Sequence, residues 1–221
     1  MLNDAVGRSH ATVAAGVPRV KIQYQHRREI DSFYTLPSED KLSLPETIRP
    51  FMQRNAKVRV SKDAKTGEIL AQIVKVRIGD LHIHSPLNDF DYRISISAEC
   101  NWPGSIQQLM AEATKSGSKA QPDRHKDRMS YTHQFCNIDL TQVKPSAEAT
   151  SDKATHELEV ELDSDYSRRQ GMLAASGQPN KYEEVVKIFL NNVRLLIKRP
   201  PPQAAPQQAP PLQAPPQPPH A

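Results

Sequence analysis

The chain has 221 residues, of which 37% are hydrophobic and only 5% aromatic, and a formal net charge of +4. That length holds one domain of ordinary size with appendages. The positive balance favours anionic partners, and the scarcity of aromatic residues argues against a stacking platform for single-stranded nucleic acid. No apolar run approaches the ~18 residues of a membrane-spanning helix. The two cysteines, Cys100 and Cys136, make neither a disulfide framework nor a zinc site and fit a reducing compartment.

The body reads as β-rich. Alternation of apolar and polar residues predicts strands at Val20–Tyr24, Lys57–Ser61, Ile69–Ile78 and Asp91–Glu99. Lys65-Thr66-Gly67, preceded by Asp63, predicts a hairpin turn between the second and third. Residues 101–123 read as a loop with a short helix over Ser105–Ala113. Further strands are expected at Met129–Phe135, Asn137–Val143 and His156–Leu162, with a loop at 144–154. Tyr182, Val185, Val186, Phe189, Val193 and Leu196 recur at helical spacing, so 181–198 is expected to be an amphipathic helix. From Pro200 to Ala221 the chain is almost only Pro, Gln and Ala, which predicts a disordered tail of extended polyproline II character. The expected division is a domain at 1–199 and a tail at 200–221.

The polar faces of these strands carry the chemistry. In Thr155-His156-Glu157-Leu158-Glu159-Val160-Glu161-Leu162, three glutamates fall on one strand face. Like charges at that spacing repel, and a hard divalent cation held by carboxylate oxygens would offset the repulsion. Arg124, Lys126 and Arg128 alternate in the same way, as do Asn137, Asp139 and Thr141, and Asp91, Arg93, Ser95, Ser97 and Glu99. A two-layer sheet with one solvated face also alternates like this. However, a purely acidic strand and a purely basic one differ from a mixed solubilising surface. In a closed barrel those faces would line the interior. Cation on the acids and phosphate oxygens on the bases would then hold a metal–polyphosphate complex. His82 and His84 share a face but lack an obvious third ligand, so they read as structural.

Taken in order, Tyr24-Gln25-His26-Arg27-Arg28-Glu29-Ile30-Asp31-Ser32-Phe33-Tyr34, Val58-Arg59-Val60, Asp91-Tyr92-Arg93-Ile94-Ser95-Ile96, Lys126-Asp127-Arg128-Met129-Ser130-Tyr131, Ile138-Asp139-Leu140-Thr141 and His156-Glu157-Leu158-Glu159-Val160-Glu161 resemble the fungal RNA 5′-triphosphatases. These are the beta subunits of the mRNA-capping enzyme, in the triphosphate tunnel metalloenzyme family. The resemblance covers roughly residues 18–198. It implies an α+β fold: an antiparallel β tunnel of eight strands with a hydrophilic interior and supporting helices. It also implies a polynucleotide 5′-phosphatase that removes the terminal phosphate of nascent pre-mRNA in the first step of cap formation, with Mg²⁺ or Mn²⁺. Carried over, Glu157, Glu159 and Glu161 would serve the metal. Arg93, Lys126 and Arg128 would contact phosphate, with Arg124 beside them, and Asp139 and Thr141 would share the lining. Glu159 would also act in catalysis. The implied partners are triphosphate-ended RNA, a capping guanylyltransferase and a second copy in a homodimer. The implied compartment is the nucleus, with no membrane.

The family's first strand, Glu-x-Glu-x-Lys, has no counterpart before Val20, and the strand count comes to seven. The opening Met1-Leu2-Asn3-Asp4-Ala5-Val6 is similar to the helical segment that follows that strand. The chain therefore reads as N-terminally incomplete, and its own activity is expected to be weak or absent. The alternatives are an inactive binding or scaffold remnant and a nucleic-acid-binding β-barrel.

Overall fold

The computed structural model describes residues 2–53, 55–116 and 121–198. The tail at 200–221 lies outside the described residues. Helix α1 (Leu2–Ala14) is followed by strand β1 (Gln23–Thr35), short 3-10 helices at Glu39–Ser43 and Glu46–Phe51, and the strands β2 (Lys57–Asp63), β3 (Ile69–Ile83) and β4 (Tyr92–Asn101). Then come α2 (Ile106–Ser116), β5 (Gln121–His133), β6 (Cys136–Lys144), β7 (Thr155–Leu162), α3 (Ser164–Ala175) and α4 (Tyr182–Ile197). The seven strands form one antiparallel sheet in the order β4-β3-β2-β1-β5-β6-β7, so β4 and the acidic β7 are its two edges.

The β2–β3 hairpin forms as its turn residues dictate. Asp63 Oδ1 accepts from the backbone N–H groups of Lys65 and Thr66, and Gly67 takes a φ of +73°, where a Cβ is disfavoured. Two expectations need correction. The first strand begins at Gln23 and continues to Thr35, well past Tyr24. The stretch read as a loop over 101–123 contains the longer helix α2 and the first residues of β5. Helix α3 was not predicted, and none of its residues is buried. Asp163 caps it, accepting from the Tyr166 N–H at 2.6 Å.

The apolar core lies on the convex side of the sheet. Val58 and Val60 of β2, Val74 and Val76 of β3, and Tyr34 of β1 are buried there with Leu36, Leu44 and Ile48. Trp102, Ile106 and Leu109 complete the cluster, and the Trp102 indole donates to Asp40 Oδ2 at 3.0 Å. Gly104 is close-packed against that indole: a Cβ added there would lie 2.1 Å from the ring. Helix α1 is tied to the convex face of β5, where Tyr131 Oη donates to Asn3 Oδ1 at 2.7 Å. Helix α4 covers the β6–β7 end, with Val185 and Ile197 buried and Asn192 hydrogen-bonded to the buried Cys136 thiol. Burial pushes that thiol up in pKa, away from thiolate chemistry.

The concave side is polar and nevertheless buried. Asp31 (0%), Asp139 (2%), Thr141 (2%), Ser61 (7%) and Lys126 (7%) are all nearly inaccessible. A flat sheet could not shield them; the strands curl around that face. The same curl lets the Lys75 ammonium on β3 act electrostatically on Glu161 of β7, although β2, β1, β5 and β6 lie between them in the sheet.

Candidate functional site

Register fixes which side chains share the concave face. Arg128 stands opposite Thr141 and Arg27, Lys126 opposite Glu29, and Arg124 opposite Asp31. Thr141, Asp139 and Asn137 pair in turn with Glu157, Glu159 and Glu161. Antiparallel partners project to the same side, so acid and base strands meet across β6.

The contacts follow that grid. The Arg128 guanidinium of β5 reaches both β6 and β7: Nε donates to Thr141 Oγ1 at 3.2 Å, Nη1 lies 3.1 Å from Asp139 Oδ2, and Nη2 lies 3.8 Å from Glu159 Oε2. Asn137 donates to the other Asp139 oxygen at 2.7 Å, which fixes that carboxylate. Arg124 Nη2 reaches Glu157 Oε1 at 2.5 Å. Deeper in the wall, Lys126 Nζ sits 2.5 Å from Asp31 Oδ2, and Ser61 Oγ donates to Asp31 Oδ1 at 2.5 Å. Burial alone would raise the Asp31 pKa. The Lys126 charge and hydrogen bond, with Ser61 and Arg59, outweigh it and hold the carboxyl below its ordinary value.

Three residues that sequence reasoning left unassigned complete the wall. Glu99 of β4 accepts Lys75 Nζ at 3.0 Å and lies 3.6 Å from Arg59 Nη2. Arg59 Nε is buried without a hydrogen-bond partner among the described residues, an unmet donor on an anion-friendly surface. The signal was present in the alternation of Val58-Arg59-Val60 and Val74-Lys75-Val76. Nothing local to either strand reveals that the two cations converge on one carboxylate.

Arg93 stands apart. A register shift in β3 between Arg77 and Gly79 turns Asp80 toward the same side as Arg77. Asp80 then gathers Ser95 at 2.6 Å, Arg77 at 3.0 Å and Arg93 at 3.9 Å on the far wall. His82 and His84 do not form a ligand pair. His82 lies opposite Arg93, while His84 Nδ1 is 3.0 Å from an Asp91 oxygen.

On β7, burial within the groove pushes the Glu161 pKa up, and neighbouring Glu159 and Asp139 add to it, while Lys75 and Arg128 oppose. Carboxylate oxygens are the donors that hard cations take. Yet among the described residues no three His, Cys, Asp or Glu side chains converge on one point. The donor type of Glu157, Glu159 and Glu161 thus fits a divalent cation. Its remaining ligands would have to be other oxygens, from water, phosphate or further carboxylates.

Residues 1–201 match the sequence profile of the family described as mRNA capping enzyme, beta chain. The chain belongs to that family. It is 31% identical over 179 residues to the mRNA-capping enzyme subunit beta of Schizosaccharomyces pombe, covering 80% of this chain and 52% of that protein. Over 144 residues it is 30% identical to the polynucleotide 5′-triphosphatase CTL1 of Saccharomyces cerevisiae, covering 63% of this chain and 42% of that protein. The chain therefore spans about half the length of these relatives. The fold is similar to that of the Pct1 RNA triphosphatase of S. pombe, solved in complex with the Spt5 CTD. There the TM-score is 0.64 at 28% identity, covering 89% of this chain and 66% of that one. The curled antiparallel sheet with its helices on the convex side is thus the triphosphate tunnel fold. Its seven described strands leave two open edges where the family resemblance implied eight strands.

Proposed function

We propose that this chain forms the substrate-binding and catalytic wall of a metal-dependent RNA 5′-triphosphatase that removes the terminal phosphate of nascent pre-mRNA at the first step of capping. The observation that carries the reading is the Arg128 fork, which ties Thr141, Asp139 and Glu159 together on a shielded concave face. Family membership supports it.

Arg59, Lys126 and Arg128 are suited to grip the non-bridging oxygens of the leaving and transferred phosphates. Lys75 and Arg124 extend the cationic surface, and Arg93 meets the polyphosphate farther along the far wall. Asp31 and Asp139 touch no substrate in this scheme; they hold Lys126 and Arg128 at fixed places. Preset donors of this kind lower the barrier because they need no reorganisation as charge develops. Mg²⁺ or Mn²⁺, held by Glu157, Glu159 and Glu161, would supply charge neutralisation of the polyphosphate. Glu159 orients the attacking water, and the terminal phosphoanhydride bond breaks to give inorganic phosphate and a diphosphate end. A capping guanylyltransferase as partner, a second copy in a homodimer and a nuclear site of action belong to the same proposal.

One observation favours a second reading, in which this stretch grips triphosphate ends without turning them over. The three β7 carboxylates do not converge among the described residues. Phosphate release from triphosphate-ended RNA with Mn²⁺, compared with retention of the same RNA on the protein, separates the two. Release that falls at least a hundred-fold in both Glu159→Ala and Arg128→Ala, as order-of-magnitude effects of removing a transition-state partner, supports the enzyme. Tight retention with no release supports the binding module. Release unchanged in both variants would sink the site assignment.

A further inference from the structure

Helices α3 and α4 and the turn between β5 and β6 enclose a groove of about 1220 Å³. None of its lining residues belongs to the concave charged face. Its floor is aromatic: Phe135 and Tyr166 stack with centroids 5.3 Å apart and planes 12° apart. The Arg169 guanidinium lies 5.6 Å over the Tyr166 ring. Leu173, Val185 and Ile188 form apolar walls, and Met172 is 64% exposed at the rim. Flat rings between apolar walls, with N–H donors at the margin, suit proline-rich chain in the polyproline II form. The ring edges and apolar walls would pack against pyrrolidine rings, and the donors would satisfy backbone carbonyls that such a chain leaves free. Arg168 and Lys181 stand at that margin.

The chain carries such a ligand close by. Helix α4, one wall of the groove, ends at Ile197. From Pro200 to Ala221 the sequence is Pro, Gln and Ala with one leucine, Leu212, and one histidine, His220. It carries no acidic side chain for the Asp163, Asp165 and Glu184 carboxylates of the groove to repel. It also contains Pro215-Pro216-Gln217-Pro218, the P-x-x-P spacing. Reach is sufficient. Ile188 to Ile197 is ~14 Å of helix, and polyproline II advances ~3.1 Å per residue, so about ten residues turn and come back. Residues 210–219 are then within reach of the rings.

We propose that the Pro-rich C-terminal segment docks on its own chain in the aromatic groove between α3 and α4. Tethering favours this occupant over a free peptide, because a short linker presents its end at an effective concentration on the order of 1 mM. A contact with a dissociation constant of roughly 100 µM would then be about 90% occupied. The proposal is independent of the triphosphatase reading.

The test uses the full chain and a full-length variant with serine at positions 210, 211, 215, 216, 218 and 219. Amide hydrogen exchange in α3 is expected to be about tenfold slower in the native chain. A fluorescent peptide of residues 203–221 should bind the serine variant saturably and the native chain about tenfold more weakly. Met172→Glu, and separately Arg169→Glu, both exposed and each checked for unchanged melting, should abolish peptide binding to the serine variant. Equal exchange in the two chains, no saturable binding, or binding indifferent to both groove substitutions would overturn the proposal. So would equal peptide affinity for both chains, which marks an open groove. Protection that grows with protein concentration alongside a dimer in light scattering would place the segment on a second copy and overturn the intramolecular form.

Discussion

Asp31→Ala removes the carboxylate that stands against the buried Lys126 ammonium. Asp31 is wholly buried and the Lys126 side chain is 5% exposed, with 2.5 Å between Nζ and Oδ2. Breaking such a pair from one side costs about 3–5 kcal/mol, because the remaining charge stays out of water. The Ser61 hydroxyl, which donates to the same carboxylate, loses its acceptor for roughly 1 kcal/mol more. The expected loss is therefore about 4–6 kcal/mol, a large share of the ~5–15 kcal/mol that stabilises a typical domain. Urea unfolding, followed by far-ultraviolet circular dichroism and Trp102 fluorescence, measures it. Asp31→Ala combined with Lys126→Met should recover at least about 2 kcal/mol, since the stranded charge is then gone. A single-variant cost under about 1 kcal/mol, or strictly additive costs in the double variant, would refute the coupling.

The same pair sets a pH dependence with a definite sign. The folded Asp31 carboxyl lies below its ordinary value of 3.8. Its contribution is complete above that value and disappears as pH falls through the lower folded one. The stability gap between native chain and Asp31→Ala should therefore be constant near neutrality and shrink in acid below 3.8. A gap that grows with acidification contradicts the pairing.

Gly104→Ala forces a methyl group to within 2.1 Å of the Trp102 ring, costing about 1–3 kcal/mol and lowering the melting temperature by roughly 2–12 °C. An unchanged melting curve and Trp102 emission would contradict that packing. Arg59→Ala should reduce phosphate release by roughly a hundred-fold and Arg93→Ala by about tenfold or less, because Arg59 has an unmet buried donor while Arg93 stands with Asp80. The reverse order would move the reaction to the far wall. Inorganic tripolyphosphate and Mn²⁺ together should raise the melting temperature by more than the sum of their separate effects, a coupling of about 1–3 kcal/mol. Simple additivity would show that the two do not share a site.

The strands that were legible in the sequence are those with one apolar and one polar face. β7 and β6 alternate cleanly, and Asp63 with Gly67 marks the β2–β3 turn. β1 was not legible because both of its faces are polar before Ile30. Gln25, Arg27 and Glu29 turn to the concave side, while Arg28 and His26 on the other side pair with Asp127. The first residues of β5 are hidden for the same reason. Only at Asp31–Tyr34 does β1 show a core-facing residue, Tyr34 against Val58.

The site needs a different kind of information. Sequence period assigned Glu157, Glu159 and Glu161, and Arg124, Lys126 and Arg128, to polar faces, but not to each other. Register across β6 joins them, and the curl brings Lys75 and Glu99 to face them. The result is a surface on which the central bases already have acids: Arg124 with Glu157, Lys126 with Asp31, Arg128 with Asp139 and Glu159, and Lys75 with Glu99. Such a face has little net charge to offer a bare polyanion, and a bare cation meets Glu157 and Glu159 already engaged. On the proposed reading, a cation on the β7 carboxylates would free Arg124 from Glu157 and one arm of Arg128 from Glu159 for phosphate, while Asp139 keeps Arg128 in place. On that reading, the alternation of acid and base strands suits a charge-compensated pair, a cation with its polyphosphate. Among the described residues this wall accordingly carries no preassembled carboxylate cage, and its central bases stand beside acids.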